Sequence, residues 1–307
     1  MKMLPESNSK LEDFFPFVDV DFIISDIDGT LISGSDSVIK QIRKTIKSLK
    51  QQKVHLTVAT GRTFHGAKSL LQDLEIKTGM PIALYNGGVV IEYGTENVLY
   101  KRFIDCEEAI RLLRKLQLDY MSAYIYTFEI NSNIFKENNE TGIVEKVYGV
   151  GKEDVECDVN GMKVERIDIS DLRNLQINAI LIAKSGLSDD EVKEYVEFLK
   201  NDDRVSFTDS GNGFIEIKAK GLSKGIIFEI LTNQTKYVAK KILAIGDNDN
   251  DQELFQYADI SVAVANSSIV AMEAAEYICE NESANGFLDM LNVIKTAKKY
   301  CDDKEYK

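Results

Sequence analysis

The chain has 307 residues, enough for two domains or for one large domain carrying an insertion. Its formal net charge of −13 and pI near 4.8 argue against a phosphate backbone or an anionic membrane as main partner, because both need clustered Lys and Arg. Two histidines and four scattered cysteines without a Cys-x-x-Cys pair leave thin material for a zinc site and read as reduced thiols.

No stretch reaches the length of a transmembrane span, and residues 1–19 are too interrupted by acids, Asn, Ser and prolines to be a secretory signal. Cytoplasmic placement is the expectation. Residues 1–19 are expected to form a mobile tail, with Phe14, Phe15 and Phe17 tacking part of it to the body.

Phe22, Ile23 and Ile24 predict a strand buried on both faces of a parallel sheet, and the run stops on Asp26 and Asp28 with Gly29 between them and Thr30. Two such acids can divide their work. One carboxylate can accept a phosphoryl group, while the other protonates the leaving oxygen and later activates water. Val38, Ile39, Ile42, Ile46 and Leu49 recur at helical spacing, and residues 54–59 read as the next strand. A right-handed βαβ unit makes the two strands parallel and brings Thr60 near Asp26. Thr60 and Gly61 sit at a strand-to-helix turn that suits a phosphate oxygen, and residues 82–85 make a third strand ending at Asn86.

Residues 89–93 and 98–103 look like a hairpin, followed by a helix from 107 to 118 and an aromatic strand over 120–128. Residues 131–171 resist assignment. A strand over 177–183, a helix over 189–200 and strands at 205–207 and 214–217 complete what reads as a separate α+β domain inserted into the first. Lys224 then opens a helix, residues 242–245 form another apolar strand, and Gly246-Asp247-Asn248-Asp249-Asn250-Asp251 follows it. A strand ending in that many acids and amides suits a hard cation such as Mg²⁺. An EF-hand loop is ruled out, since counting from Asp247 puts Gln252 at the sixth position and Ala258 at the twelfth. Residues 260–264 are read as the last clear strand, with closing helices over 268–275 and 287–298.

Taken together, Asp26-Ile-Asp-Gly-Thr30, Thr60-Gly61-Arg62, Lys224 before a helix, and Gly246-Asp247 with Asn250-Asp251 resemble the four motifs of the haloacid dehalogenase superfamily in order. The insertion resembles the α/β cap of its Cof-type phosphatases. The resemblance implies an α/β Rossmann-like core with a parallel sheet over 1–87 and 218–307, and an α+β cap over 88–217. It implies Asp26 as nucleophile and metal ligand, and Asp28 as general acid/base whose backbone carbonyl also meets the metal. It further implies Thr60, Gly61, Lys224 and Asn250 around the phosphate, Asn86 as a substrate contact, and Asp247 and Asp251 as further Mg²⁺ ligands. Three departures stand out: Asn248 where glycine is usual, Ala265-Asn266 in place of Gly-Asn, and Lys218-Ala219-Lys220 without the common proline. The implied activity is Mg²⁺-dependent hydrolysis of a small soluble phosphomonoester, a sugar phosphate foremost, with no nucleic-acid or membrane partner. A phosphosugar mutase or a non-catalytic phosphate-binding module is the alternative.

Overall fold

The computed structural model describes residues 2–6, 8–95, 97–116, 122–130, 142–151, 158–159, 161–185, 187–209, 213–234 and 237–305. The chain divides into two compact units, one made of Met1–Gly61, Ser69–Thr95 and Ser223–Lys307, the other of Arg62–Lys68 and Glu96–Leu222.

The first unit is built on a six-stranded parallel sheet. Its spatial order is Lys2–Met3, Tyr277–Ile278, Ile260–Ala263, Ile242–Gly246, Phe22–Ser25 and His55–Val58. The central strands are apolar on both faces, as a sheet covered on both sides by helices requires, and Ile24, Leu243, Ala244 and Ile245 have no exposed surface. Ser25 is in register with Ile245 on one side and Val58 on the other, so the segments after all three strands leave from the same edge. Open α/β sheets carry their ligand sites at that edge.

Pro81–Leu84, read from sequence as the next parallel strand, touches this sheet through a single parallel bridge, Ala59 with Ala83. It pairs antiparallel with Val89–Glu92, which the sequence reading had assigned to the inserted domain. Val89, Val90 and Ile91 have no exposed surface, and that burial holds the strand in the first unit. The expected tacking of the amino-terminal residues holds for Phe14 and Phe17, while Phe15 is exposed, and the segment also carries structure of its own. Lys2–Met3 pairs in parallel with Tyr277–Ile278, and Leu11–Phe17 forms a 3₁₀ helix packed on the long helix Ser283–Glu305. Phe14 and Phe17 are buried, and the Phe17 ring sits 5.1 Å from that of Tyr277. Strand Tyr277–Ile278 also follows Ile260–Ala263, so the latter is not the last strand.

The second unit holds a seven-stranded mixed sheet. The order is Val205–Asp209, Phe214–Ala219, Ile177–Ala183, Ser122–Ile130, Ile143–Gly151, Met162–Arg166 and Asp158–Val159. Among the described residues its pairings are antiparallel except that between Met162–Arg166 and Ile143–Gly151. Helices Cys106–Arg114 and Asp189–Lys200 contribute Leu112, Leu113, Tyr195 and Leu199 to one apolar cluster with Ile125, Ile180, Ile182, Ile215 and Ile217 from the sheet. Asp105 caps the first helix through the N–H groups of Glu107 and Glu108, and Ser188 caps the second through Glu191. This is the α+β organisation read for the insertion. Strand Ile143–Gly151 falls in the stretch the sequence left unassigned, and residues 131–141 of that stretch lie outside the described residues.

Candidate active site

Asp26, Asp28, Thr60, Gly61, Asn86, Lys224, Asp247, Asn250 and Asp251 all lie in the first unit, and Asp26, Thr60 and Asp247 follow strands at the carboxyl edge of its parallel sheet. Asp26 follows strand Phe22–Ser25 directly, and its N–H donates to the Ile245 carbonyl at 2.9 Å. Gly29 turns the chain at φ +78°, and a side chain there would run into the Asp247 carboxylate. Only glycine permits both the left-handed backbone and that approach. Thr30 then donates its hydroxyl to Asp247 Oδ1 at 2.9 Å.

The centre of the site is a buried lysine. Lys224 is 1% exposed and lies just before helix Ile226–Gln234, its ammonium donating to Asp26 Oδ1 at 2.6 Å and to Asp251 Oδ1 at 2.7 Å. The other oxygen of Asp251 accepts from the backbone N–H groups of Asp247 and Asn248 at 2.9 and 3.0 Å, which folds the acidic segment back on itself. A side chain at Gly246 would collide with Asp251, so the strand must end on glycine for this fold-back.

Three carboxylates converge here. Asp26, Asp247 and Asp251 each offer an oxygen within 4.8 Å of the others. Burial pushes the Asp26 carboxyl up to about 8, against the pull of the Lys224 ammonium, with Asp251 and Asp247 adding to the rise. Burial also raises Asp247, opposed by its hydrogen bond from Thr30. Burial lowers the Lys224 pKa, but Asp251 and Asp26 outweigh it and hold the ammonium above its ordinary range. Three acids against one lysine leave excess negative charge at a cluster of hard oxygen donors. That donor set fits Mg²⁺.

Thr60 is fully buried and its N–H donates to Ala83. The Asn86 N–H donates to the Thr60 carbonyl at 2.9 Å, and the Asn86 side-chain amide lies against Gly61 and accepts from Asn250 Nδ2 at 2.9 Å. Asn86 and Tyr85 hold φ of +55° and +52°, a region that asparagine tolerates but that costs a residue such as tyrosine about 1–2 kcal/mol. The structure therefore places Asp26, Lys224, Asp247 and Asp251 in direct contact or close approach, and Thr60, Gly61, Asn86 and Asn250 in a second group beside them. Asp28 is exposed, and its carboxyl is outside the converging three. The sequence reading gave no role to Thr30, although it stands in the first motif, and none to Ser223 or Gly87.

The family model for haloacid dehalogenase-like hydrolases matches residues 23–291. The 5-amino-6-(5-phospho-D-ribitylamino)uracil phosphatases YwtE and YcsE of Bacillus subtilis are 25% and 23% identical, covering 88% of this chain in each case and 97% and 93% of their own lengths. Among solved structures, a haloacid dehalogenase-like hydrolase from Bacteroides thetaiotaomicron aligns with a TM-score of 0.70 at 20% identity, over 89% of this chain and 99% of that one. The Thermotoga maritima protein TM0651 aligns at 0.66 and 21%, over 89% and 96%. Among the described residues no helix is long and apolar enough to cross a membrane. With the fold, the converging carboxylates and the family match in agreement, this chain is an enzyme belonging to the haloacid dehalogenase-like hydrolases.

Proposed function

We propose that the chain is a Mg²⁺-dependent phosphatase that hydrolyses a small soluble phosphomonoester through an aspartyl-phosphate on Asp26. One observation carries the reading: Asp26 is buried at the end of a central strand, 2.6 Å from a buried lysine and within reach of two further carboxylates.

In the first step an Asp26 carboxylate oxygen bonds to phosphorus, the bond from phosphorus to the ester oxygen breaks, and Asp28 gives its proton to that leaving oxygen. In the second, Asp28 takes a proton from water, the water oxygen bonds to phosphorus, and the bond to Asp26 breaks with its electron pair returning to the carboxylate. Lys224 holds Asp26 in place and offers positive charge to the transferring oxygens, with Thr60, Gly61 and Asn250 supplying hydrogen-bond donors. Asp26, Asp247 and the Asp28 backbone carbonyl would hold Mg²⁺, which when bound supplies the charge that keeps Asp26 ionised beside a phosphate. Both oxygens of Asp251 are engaged, one by Lys224 and one by two N–H groups, so its part is to fix the loop and the lysine.

The names of the Bacillus relatives make a phosphorylated ribityl-pyrimidine the first compound in a panel of sugar and polyol phosphates. The test is release of inorganic phosphate from an aryl phosphate and from that panel, with and without Mg²⁺, comparing wild type with Asp26→Asn. Metal-dependent release that the variant lacks supports the proposal. Release that needs an added bisphosphate points to a mutase, and tight phosphate binding without turnover on any compound points to a binding module.

A further inference from the structure

The turn Tyr85–Gly87 carries three successive positive φ angles, of 52°, 55° and 89°. Four other parts of the site meet on it. The Asn86 N–H holds the Thr60 carbonyl, the Asn86 amide packs on Gly61, and its Oδ1 holds Asn250. Gly87 lies against the Ser223 carbonyl so closely that any side chain would overlap it, and Ser223 immediately precedes Lys224. That carbonyl in turn accepts from the Ile226 N–H at 3.2 Å, while the Ser223 hydroxyl accepts from Gly225, so the short turn holding Lys224 is seated on Gly87.

Asn-Gly at positive φ is usual in hairpin turns, but a tyrosine held there just before it is not, and such conformations persist when their surroundings over-determine them. Here the surroundings are the phosphate-side residues themselves. We infer that Tyr85–Asn86–Gly87 is a positioning turn that sets the spacing between Thr60–Gly61, Asn250 and Lys224. Its links run to the phosphate-side residues, and it reaches the metal-side Asp26 through Lys224, so its effect falls first on the phosphoryl oxygens. The inference rests on the phosphatase reading only for its activity readout.

Two sets of variants test it, assayed as aryl phosphate hydrolysis with Mg²⁺ and normalised to folded protein. Gly87→Ala drives a methyl group into the Ser223 carbonyl. Its kcat is expected to fall at least about tenfold, since misplacing a catalytic group by an ångström is that costly. Inhibition by inorganic phosphate should weaken in parallel, by a larger factor than any rise in the Mg²⁺ concentration for half-activation. Asn86→Gly and Asn86→Ala both remove the amide, but only glycine relaxes into the left-handed backbone. Asn86→Gly is therefore expected to keep several-fold more kcat than Asn86→Ala. A lowered melting temperature with unchanged kcat and phosphate inhibition in Gly87→Ala would overturn the inference, as would equal losses in the two Asn86 variants. If Gly87→Ala does not fold, the Asn86 pair decides alone. If the wild type turns over nothing, the phosphatase reading fails by itself, and the same ratios are read from calorimetric binding of inorganic phosphate in Mg²⁺.

Discussion

Replacing Lys224 by Met separates the electrostatics of the site from its packing. Methionine nearly matches the lysine stem in volume, and volume-conserving swaps cost less than about 1.5 kcal/mol. The rest of the effect comes from the lost ammonium. Breaking a buried ion pair from one side costs about 3–5 kcal/mol because the remaining charge has no partner. Asp251 keeps two N–H donors on its other oxygen, so the burden falls mainly on Asp26, which is 4% exposed. The expectation in EDTA at pH 9, above the raised Asp26 pKa of about 8, is therefore the lower end, about 3 kcal/mol, or roughly a 6–12 °C drop in Tm for a unit of this size. Differential scanning calorimetry with urea titration measures it. Adding Asp26→Asn to Lys224→Met should recover most of the loss, because the amide needs no counter-charge, and the double-mutant cycle reports the coupling. With Mg²⁺ and substrate, kcat for Lys224→Met should fall about 10²–10³-fold, as for other lost charge-stabilising donors. A variant within about 1 kcal/mol of wild type, or one that Asp26→Asn fails to rescue, would refute the view that Lys224 exists to neutralise Asp26.

Other expectations follow from the same geometry. Asp247→Asn keeps an acceptor for the Thr30 hydroxyl and so keeps the fold, but the Mg²⁺ concentration for half-activation should rise at least about tenfold; an unchanged requirement would remove Asp247 from the metal site. In metal-free protein the raised Asp26 pKa makes folding take up a proton. Its contribution to stability is complete below the unfolded value near 4 and is lost as pH rises toward about 8, with a slope of at most about 1.4 kcal/mol per pH unit. Thermal unfolding in EDTA across that range should show a steeper decline in wild type than in Asp26→Asn, where the raised Asp247 still contributes, and equal slopes would count against it. Phe17→Ala, at a fully buried ring, should cost about 3–5 kcal/mol in chemical denaturation, whereas a detachable tail would show no change.

The parallel strands were legible because they are short, apolar on both faces and end abruptly on Asp26, Thr60 and Asp247, a pattern that needs no partner to be seen. Lys224 was legible as a position and not as an environment. A lysine at a helix start is ordinarily solvated, and its burial depends on Asp26 and Asp251, which lie 198 and 27 residues away. The tacking of the amino-terminal segment by Phe14 and Phe17 was legible, but its edge strand was not, because a two-residue strand has no periodicity and its partner Tyr277–Ile278 is as short. The left-handed turn at Asn86 was marked by its Asn-Gly-Gly sequence, but that Ser223 rests on Gly87 is a contact between distant segments that no local pattern announces. Strand Ile143–Gly151 escaped because adjacent Glu145 and Lys146 and the glycines Gly149 and Gly151 interrupt its apolar pattern, and it borrows its stability from a long pairing with Ser122–Ile130.

The order in which these contacts can form during synthesis follows from the chain path. Thr30 and Asp247 are 217 residues apart, and strand Ile242–Gly246 sits between Phe22–Ser25 and Ile260–Ala263. A nascent chain therefore emerges with its nucleophile segment unpaired on one side, while the residues 96–222 are already complete as one continuous stretch. Long-range pairing is slow and exposes strand edges until it closes. The inserted unit is thus the part equipped to fold first, and the chemistry of the enzyme is assembled last, when the acidic loop leaves the ribosome and captures Lys224.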